Sequence, residues 1–116
     1  MKYLLAARTS EVPPGKLTAV DLEGVELLLT NQQGAYYAVD RRCTHMGENL
    51  CEGSLDGSIV TCPRHGARFD VTTGAAVGKA KLLFLAKLPK NLRTYPVKVE
   101  GDEILIGVSA SLPAGP

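Results

Sequence analysis

The residues of this chain best equipped for chemistry are Cys43 and His45, separated by Thr44, and Cys62 and His65, separated by Pro63-Arg64. They form a C-x-H pair and a C-x-x-H pair with 16 residues between them, and the chain has no other histidine. With three cysteines placed at random, a given histidine has one at a specified offset with chance roughly 3 in 115, so both coincidences together fall on the order of 1 in 1,000. Two thiolates and two imidazoles suit either a tetrahedral zinc ion or an iron–sulfur centre, so donor type alone leaves both open. Spacing favours two metals. A structural zinc knuckle wraps one ion, and a single residue between Cys43 and His45 makes that wrap awkward. If each loop gives its cysteine to one iron and its histidine to the other, the short reach spans a cluster instead of chelating one ion.

The segments CTHMGENL (43–50) and CPRHGARFD (62–70) resemble the two cluster-binding loops of the Rieske family, and YPVKVEGDEILIGV (95–108) is similar to the final hairpin of Rieske-type ferredoxins of bacterial ring-hydroxylating dioxygenase systems. The resemblance implies one [2Fe-2S] cluster, with Cys43 and Cys62 on one iron and His45 and His65 on the outer, more exposed iron. It also implies that Leu50 shields the cluster. Gly47, Gly53 and Gly66 suit a backbone that must approach the sulfides closely, and Pro63 stiffens the second loop. Asn49 stands where many members have proline.

Two thiolates on a core of charge +2 give a neutral oxidised centre, which eases electron entry relative to a four-thiolate cluster. Rieske centres span about −150 to +300 mV against roughly −400 mV for plant-type clusters; even the smaller gap is about four decades at ~59 mV each. High-potential members add an inter-loop disulfide and hydroxyl donors that stabilise the reduced cluster. Here Arg64 stands in place of the disulfide cysteine, Ala67 in place of a serine and Phe69 in place of a tyrosine. The expected potential is therefore low, nearer about −150 than about +300 mV. Arg64 and Arg68 favour added negative charge, but exposed cations are screened.

The elements that must position these loops read as short strands. Lys2 to Ala7, Leu17 to Asp21, Val25 to Thr30 and Ala35 to Val39 are strand candidates, broken by Pro13-Pro14-Gly15 and turned at Asn31-Gln32-Gln33-Gly34. Tyr95 to Glu100 and Glu103 to Val108 flank a Gly101-Asp102 turn. Residues 41–75 are expected to be loops with one strand, Gly57 to Thr61. Residues 79–93 are expected to be a loop with one helical turn at most, because Pro89 interrupts any longer helix. The tail at 112–116 reads as a frayed end. The expected fold class is all-β: a Rieske-type antiparallel β-sandwich base with an inserted cluster-binding subdomain at 41–75, in a single domain spanning 1–116.

Length and composition agree, since 116 residues with 45% apolar and 22% charged side chains make one globular domain. A net charge of +1 argues against nucleic acid or an anionic membrane as partner. The apolar run before Arg8 is too short for a secretory or membrane-spanning segment, so a cytoplasmic home is expected. An odd cysteine count in a reducing compartment argues against a disulfide scaffold. Cys51 reads as a buried structural thiol, Tyr36 and Tyr37 as sheet packing, and Asp70 as a loop-fixing acceptor. From Val71 to Val99 there are six basic residues and no acid, whereas Glu48, Glu52 and Asp56 make the first loop acidic. The basic segment is by default a solvated loop, with a docking surface for an acidic partner as the other reading.

No catalytic residue is expected, because an oxygenase would need two further histidines beside a carboxylate. The chain is expected to be a monomeric electron carrier and not an enzyme. The resemblance implies a flavin-dependent reductase upstream and a terminal oxygenase downstream. Two alternatives are the small Rieske-like subunit of an assimilatory nitrite reductase and a zinc-stabilised interaction module.

Overall fold

The computed structural model describes residues 2–44, 47–64, 66–78, 80–82, 85–87 and 89–108. The strands are Lys2–Arg8 (β1), Leu17–Leu22 (β2), Val25–Gln32 (β3), Ala35–Asp40 (β4), Ser54–Asp56 (β5), Ile59–Thr61 (β6), Arg68–Asp70 (β7), Ala76–Gly78 (β8), Ala80–Leu82 (β9), Leu85–Lys87 (β10), Thr94–Tyr95 (β11), Val97–Glu100 (β12) and Glu103–Val108 (β13). Every named pairing between them is antiparallel. The fold is all-β, as expected. No helix among the described residues is long and apolar enough to cross a membrane.

A four-stranded sheet in the order β11-β4-β3-β2 and a three-stranded sheet in the order β1-β13-β12 form the base. Strands β3 and β4 are joined through Gln33 (φ 56°) and Gly34 (φ 95°), and two successive positive φ values turn the chain in the sense that matches strand twist. Asn31 secures this corner: its side-chain oxygen accepts from Gly34 N at 2.7 Å and its amide donates to the Val12 carbonyl at 3.0 Å.

The middle of β3 is buried on both faces, and alternation divides it between two cores. Leu27 and Leu29 pack with Val20, Leu22, Ala38, Ile104, Ile106 and Val108 between the two base sheets. Leu28 points the other way and packs with Val39, Leu50, Val60, Phe69, Val71 and both Cys43 and Cys62. One strand thus serves as a wall of the base and as the floor under the chemistry.

Three expectations need correction. The stretch 41–75 holds three strands, β5, β6 and β7, where one was expected, and with β8 they make a separate four-stranded sheet. Residues 79–93 contain no helical turn among the described residues; β9 and β10 pair there as a two-stranded ribbon. Strands of three residues carry too little alternation to stand out, and lysines beside leucines imitate an amphipathic turn. The expected strand from Tyr95 to Glu100 is interrupted at Pro96, where the chain leaves the β4 side (β11) and joins β13 (β12). Proline lacks a ladder donor and suits such a switch. The tail at 112–116 lies outside the described residues.

Candidate metal centre

The first loop leaves β4 and folds back on itself through the backbone of Cys43. Its N–H donates to the Glu48 carbonyl and its carbonyl accepts from Gly47 N, both at 2.8 Å. Gly47 adopts φ +79°, which a side chain would strain. Leu50 N donates to the Arg41 carbonyl at 2.9 Å. Asn49 stiffens the turn through its side chain, which accepts from Cys51 N at 2.9 Å and caps the 3-10 turn Leu50–Glu52. Gly53 then passes directly over β6, where an added Cβ would collide with the Thr61 carbonyl.

The second loop is a tight excursion between β6 and β7. Cys62 N donates to the Ala67 carbonyl at 2.7 Å, and Gly66 (φ +77°) makes the return. The loops meet at their cysteines, each only 2% exposed. The Sγ atoms of Cys43 and Cys62 and a carboxylate oxygen of Glu48 all lie within 4.8 Å of one another. Two thiolates on one tetrahedral metal, with metal–sulfur bonds of about 2.3 Å, stand about 3.8 Å apart, so this spacing fits shared ligation of one iron. Neither thiol is in a disulfide.

His45 and His65, the other half of the expected ligand set, lie outside the described residues. Their chain neighbours Thr44 and Arg64 are exposed, while the cysteine side of each loop is buried. Leu50 is fully buried and packs in the same cluster as the two cysteines. Ala67 and Phe69 are fully buried in the same cluster, and neither offers a hydroxyl.

Sequence reading placed Glu48 in an acidic loop but missed its position. Its side chain is 12% exposed, with Oε2 4.0 Å from Arg64 Nε and Oε1 3.7 Å from Cys62 Sγ, whose thiol donates to it. It missed Arg41 as well. That guanidinium, with 7% of its side chain exposed, meets Asp21 at 2.6 Å and Glu26 at 3.1 Å, and Arg42 also reaches Glu26 at 3.1 Å. Hydrogen bonds from Arg42 and then Arg41 hold the Glu26 carboxyl below its usual range. Burial opposes the charge on Arg41, but the two carboxylates outweigh it and raise its pKa. No spacing signal in the sequence points to either residue.

Cys51, expected as a buried thiol, is only partly buried: it packs against the buried cluster, and burial is the main cause that pushes its thiol up to about 11, against a smaller opposing pull from Arg41. Asp70 fixes its loop by accepting from Thr72 Oγ1 at 2.7 Å and Thr72 N at 2.9 Å; the hydroxyl bond is the main reason its carboxyl sits below the usual range. Tyr36 packs against the base core.

Residues 2–96 match the Rieske [2Fe-2S] domain family. The chain is 39% identical over 108 residues to the ferredoxin component of the naphthalene 1,2-dioxygenase system of Pseudomonas aeruginosa, covering 93% of this chain and 97% of that protein. It superposes with a TM-score of 0.80 and 32% identity on the ferredoxin of carbazole 1,9a-dioxygenase from Nocardioides aromaticivorans IC177, covering 94% of this chain and 100% of that one. A similar fit, with TM-score 0.80 and 28% identity over 96% of this chain and 97% of that one, is found to a carbazole 1,9a-dioxygenase structure holding reduced oxygenase and oxidised ferredoxin in complex. The buried thiol pair, the two glycine-turned loops and these likenesses agree: the chain belongs to the Rieske [2Fe-2S] family, carries one such cluster and is an electron carrier, not a catalytic subunit.

Proposed function

We propose that this chain is a low-potential, one-electron shuttle between a flavin-dependent reductase and the terminal oxygenase of a ring-hydroxylating system. It works as a cytoplasmic monomer whose residues 1–116 form one domain, with 41–75 as the cluster-binding subdomain. Cys43 and Cys62 hold the inner iron, and His45 and His65 hold the outer one. When bound, the cluster supplies a single-electron couple. Leu50, Phe69 and Val60 keep water from the thiolate side, while exposed Thr44 and Arg64 mark the side on which a partner approaches.

The observation that carries the reading is the convergence of two buried thiols, from separate loops, at one end of a β scaffold. The relatives add the direction of service, since one is a dioxygenase-system ferredoxin and another is found in complex with its oxygenase. The zinc module and the nitrite reductase subunit are not favoured, because the matched family holds [2Fe-2S] and the relatives are ferredoxin components.

The low potential is supported by the absence of hydroxyls at buried Ala67 and Phe69. A redox titration is expected to give a midpoint nearer about −150 than about +300 mV, and a clearly positive midpoint overturns that part. Iron and acid-labile sulfide analysis is expected to give two of each per chain, with a Rieske-type EPR signal on reduction. One zinc and no sulfide would overturn the ligand assignment. Reconstitution with a flavin reductase and a ring-hydroxylating oxygenase then tests the service.

A further inference from the structure

We infer that the Glu48 carboxylate holds the cluster's potential down, as a buried negative charge set against the ligand sulfurs, a role that rests on Cys43 and Cys62 as cluster ligands and deepens the low-potential assignment above.

The backbone leaves Glu48 little choice of position. Gly47 turns the chain back with φ +79°, and the Glu48 carbonyl then accepts from Cys43 N at 2.8 Å. On the other side Asn49 caps the 3-10 turn Leu50–Glu52, and Leu50 is fully buried. Residue 48 is thus pinned between a ligand cysteine and a core leucine. Its side chain runs inward and is 12% exposed, whereas Glu52, in the same loop, is exposed. A carboxylate oxygen of Glu48 lies within 4.8 Å of both Cys43 Sγ and Cys62 Sγ, and Oε1 accepts from Cys62 Sγ at 3.7 Å. Among the described residues no other carboxylate forms such a group with the two sulfurs.

Ligation changes what that contact means. A coordinating thiol is deprotonated, so the carboxylate then faces an anionic sulfur instead of a donor. One electron entering the cluster adds one negative charge, shared in part by those sulfurs. A neighbouring carboxylate repels that charge, and where exposure is low there is little water to weaken the repulsion. The reduced form is destabilised relative to the oxidised form, and the potential falls. Hydroxyl donors act in the opposite sense, and buried Ala67 and Phe69 supply none.

Nearby cations offset this only in part. Arg64 Nε stands 4.0 Å from Glu48 Oε2, but the Arg64 side chain is 72% exposed, so water and salt weaken its pull. Arg42 donates to the Gly47 carbonyl at 3.5 Å, yet it is half exposed and its charge is paired with Glu26 at 3.1 Å. The unequal burial of Glu48 and Arg64 makes their effects separable by salt.

The test is potentiometric titration of the holoprotein with dithionite and mediators, read by EPR; dithionite supplies the one electron that each cluster takes up. It is run at about 0.1 M and about 1 M salt, between which the screening length falls from about 10 to about 3 Å. Glu48→Gln keeps the shape and removes the charge. At both salt concentrations it should raise the midpoint by at least about tenfold in the reduction equilibrium, about 59 mV for one electron. Its EPR g values and its two irons and two sulfides per chain should match the wild type. Glu48→Asp keeps the charge and should stay within about threefold of the wild type. Arg64→Gln should lower the midpoint, and Glu52→Gln raise it, each by less than about threefold at the lower salt and not measurably at the higher.

A Glu48→Gln shift below about threefold, or one matched by Glu48→Asp, overturns the role of the buried charge. So does a shift that salt abolishes as it does for Glu52→Gln. Should Glu48→Gln fail to load a cluster, Glu48→Ala removes the same charge with a different shape and is held to the same shift. Failure of both to load makes Glu48 a structural part of the site and defeats the tuning role. The wild-type midpoint is a separate matter: a positive value with the Glu48→Gln shift intact removes the low-potential assignment and leaves the role of Glu48 standing.

Discussion

Cys43 and Cys62 are 2% exposed, whereas Cys51, a few residues along the same loop, is only partly buried and belongs to no donor group among the described residues. Three thiols in one small protein thus have two fates, set by what each faces. Cys51→Ser should retain two irons and two sulfides per chain and lower stability by no more than about 1–2 kcal/mol, since one small half-buried group is exchanged for another. With its thiol pushed up to about 11 by burial, Cys51 should resist alkylation near neutral pH and react only as the pH approaches that value. Mass spectrometry after iodoacetamide treatment of the holoprotein reads this directly. The convergence of Cys43 and Cys62 was legible because few residue types bind soft metals and each cysteine lies within three residues of a histidine, a spacing improbable by chance. Glu48 was not, because carboxylates are common and nothing in its offset from Cys43 or Cys62 marks it as the one that folds inward.

At the scale of elements, the first loop is fastened to the β2–β3 sheet by Arg41 and Arg42. Arg41 N donates to the Glu26 carbonyl at 3.2 Å, and both guanidinium groups reach the Glu26 carboxylate. The burial is lopsided, with 7% of the Arg41 side chain exposed against 68% for Asp21 and 43% for Glu26. Arg41→Met would leave two solvated acids, whereas Asp21→Asn/Glu26→Gln would strand a buried cation, the costlier defect. The double variant should lose its visible cluster absorbance at lower urea than Arg41→Met; the reverse order would show that the network contributes through the acids' own solvation. This fastening was invisible in the sequence, where arginine seldom signals an interior position. Strands β1 to β4 and β13 were legible to within two residues, since each runs six to eight residues, long enough for a strand pattern to stand out. Strands β5, β7, β9 and β10 have three residues each and were not.

For the whole molecule, the division of β3 between two cores predicts two kinds of failure. Leu28→Ala removes packing beneath the cysteines, and Leu29→Ala removes packing inside the base; both sites are fully buried, so each should cost about 2–5 kcal/mol. Leu28→Ala should release its cluster at a temperature where the far-ultraviolet spectrum of the base is still native. Leu29→Ala should lose both signals together. Coincident loss in both variants would mean that the two cores melt as one.

The pairing of β11 with β4 has a consequence for biogenesis. Val39 and Thr94 are register partners, so more than fifty residues, including every proposed ligand, hang as a closed excursion from one joint in the base sheet. Closing that excursion costs about 3.5 kcal/mol plus a constant, and the base strands can meet that cost before any metal arrives. The apoprotein should thus be a folded receptacle for cluster delivery: amide exchange should find β2, β3, β4 and β13 protected with or without the cluster, and residues 43–64 protected only with it.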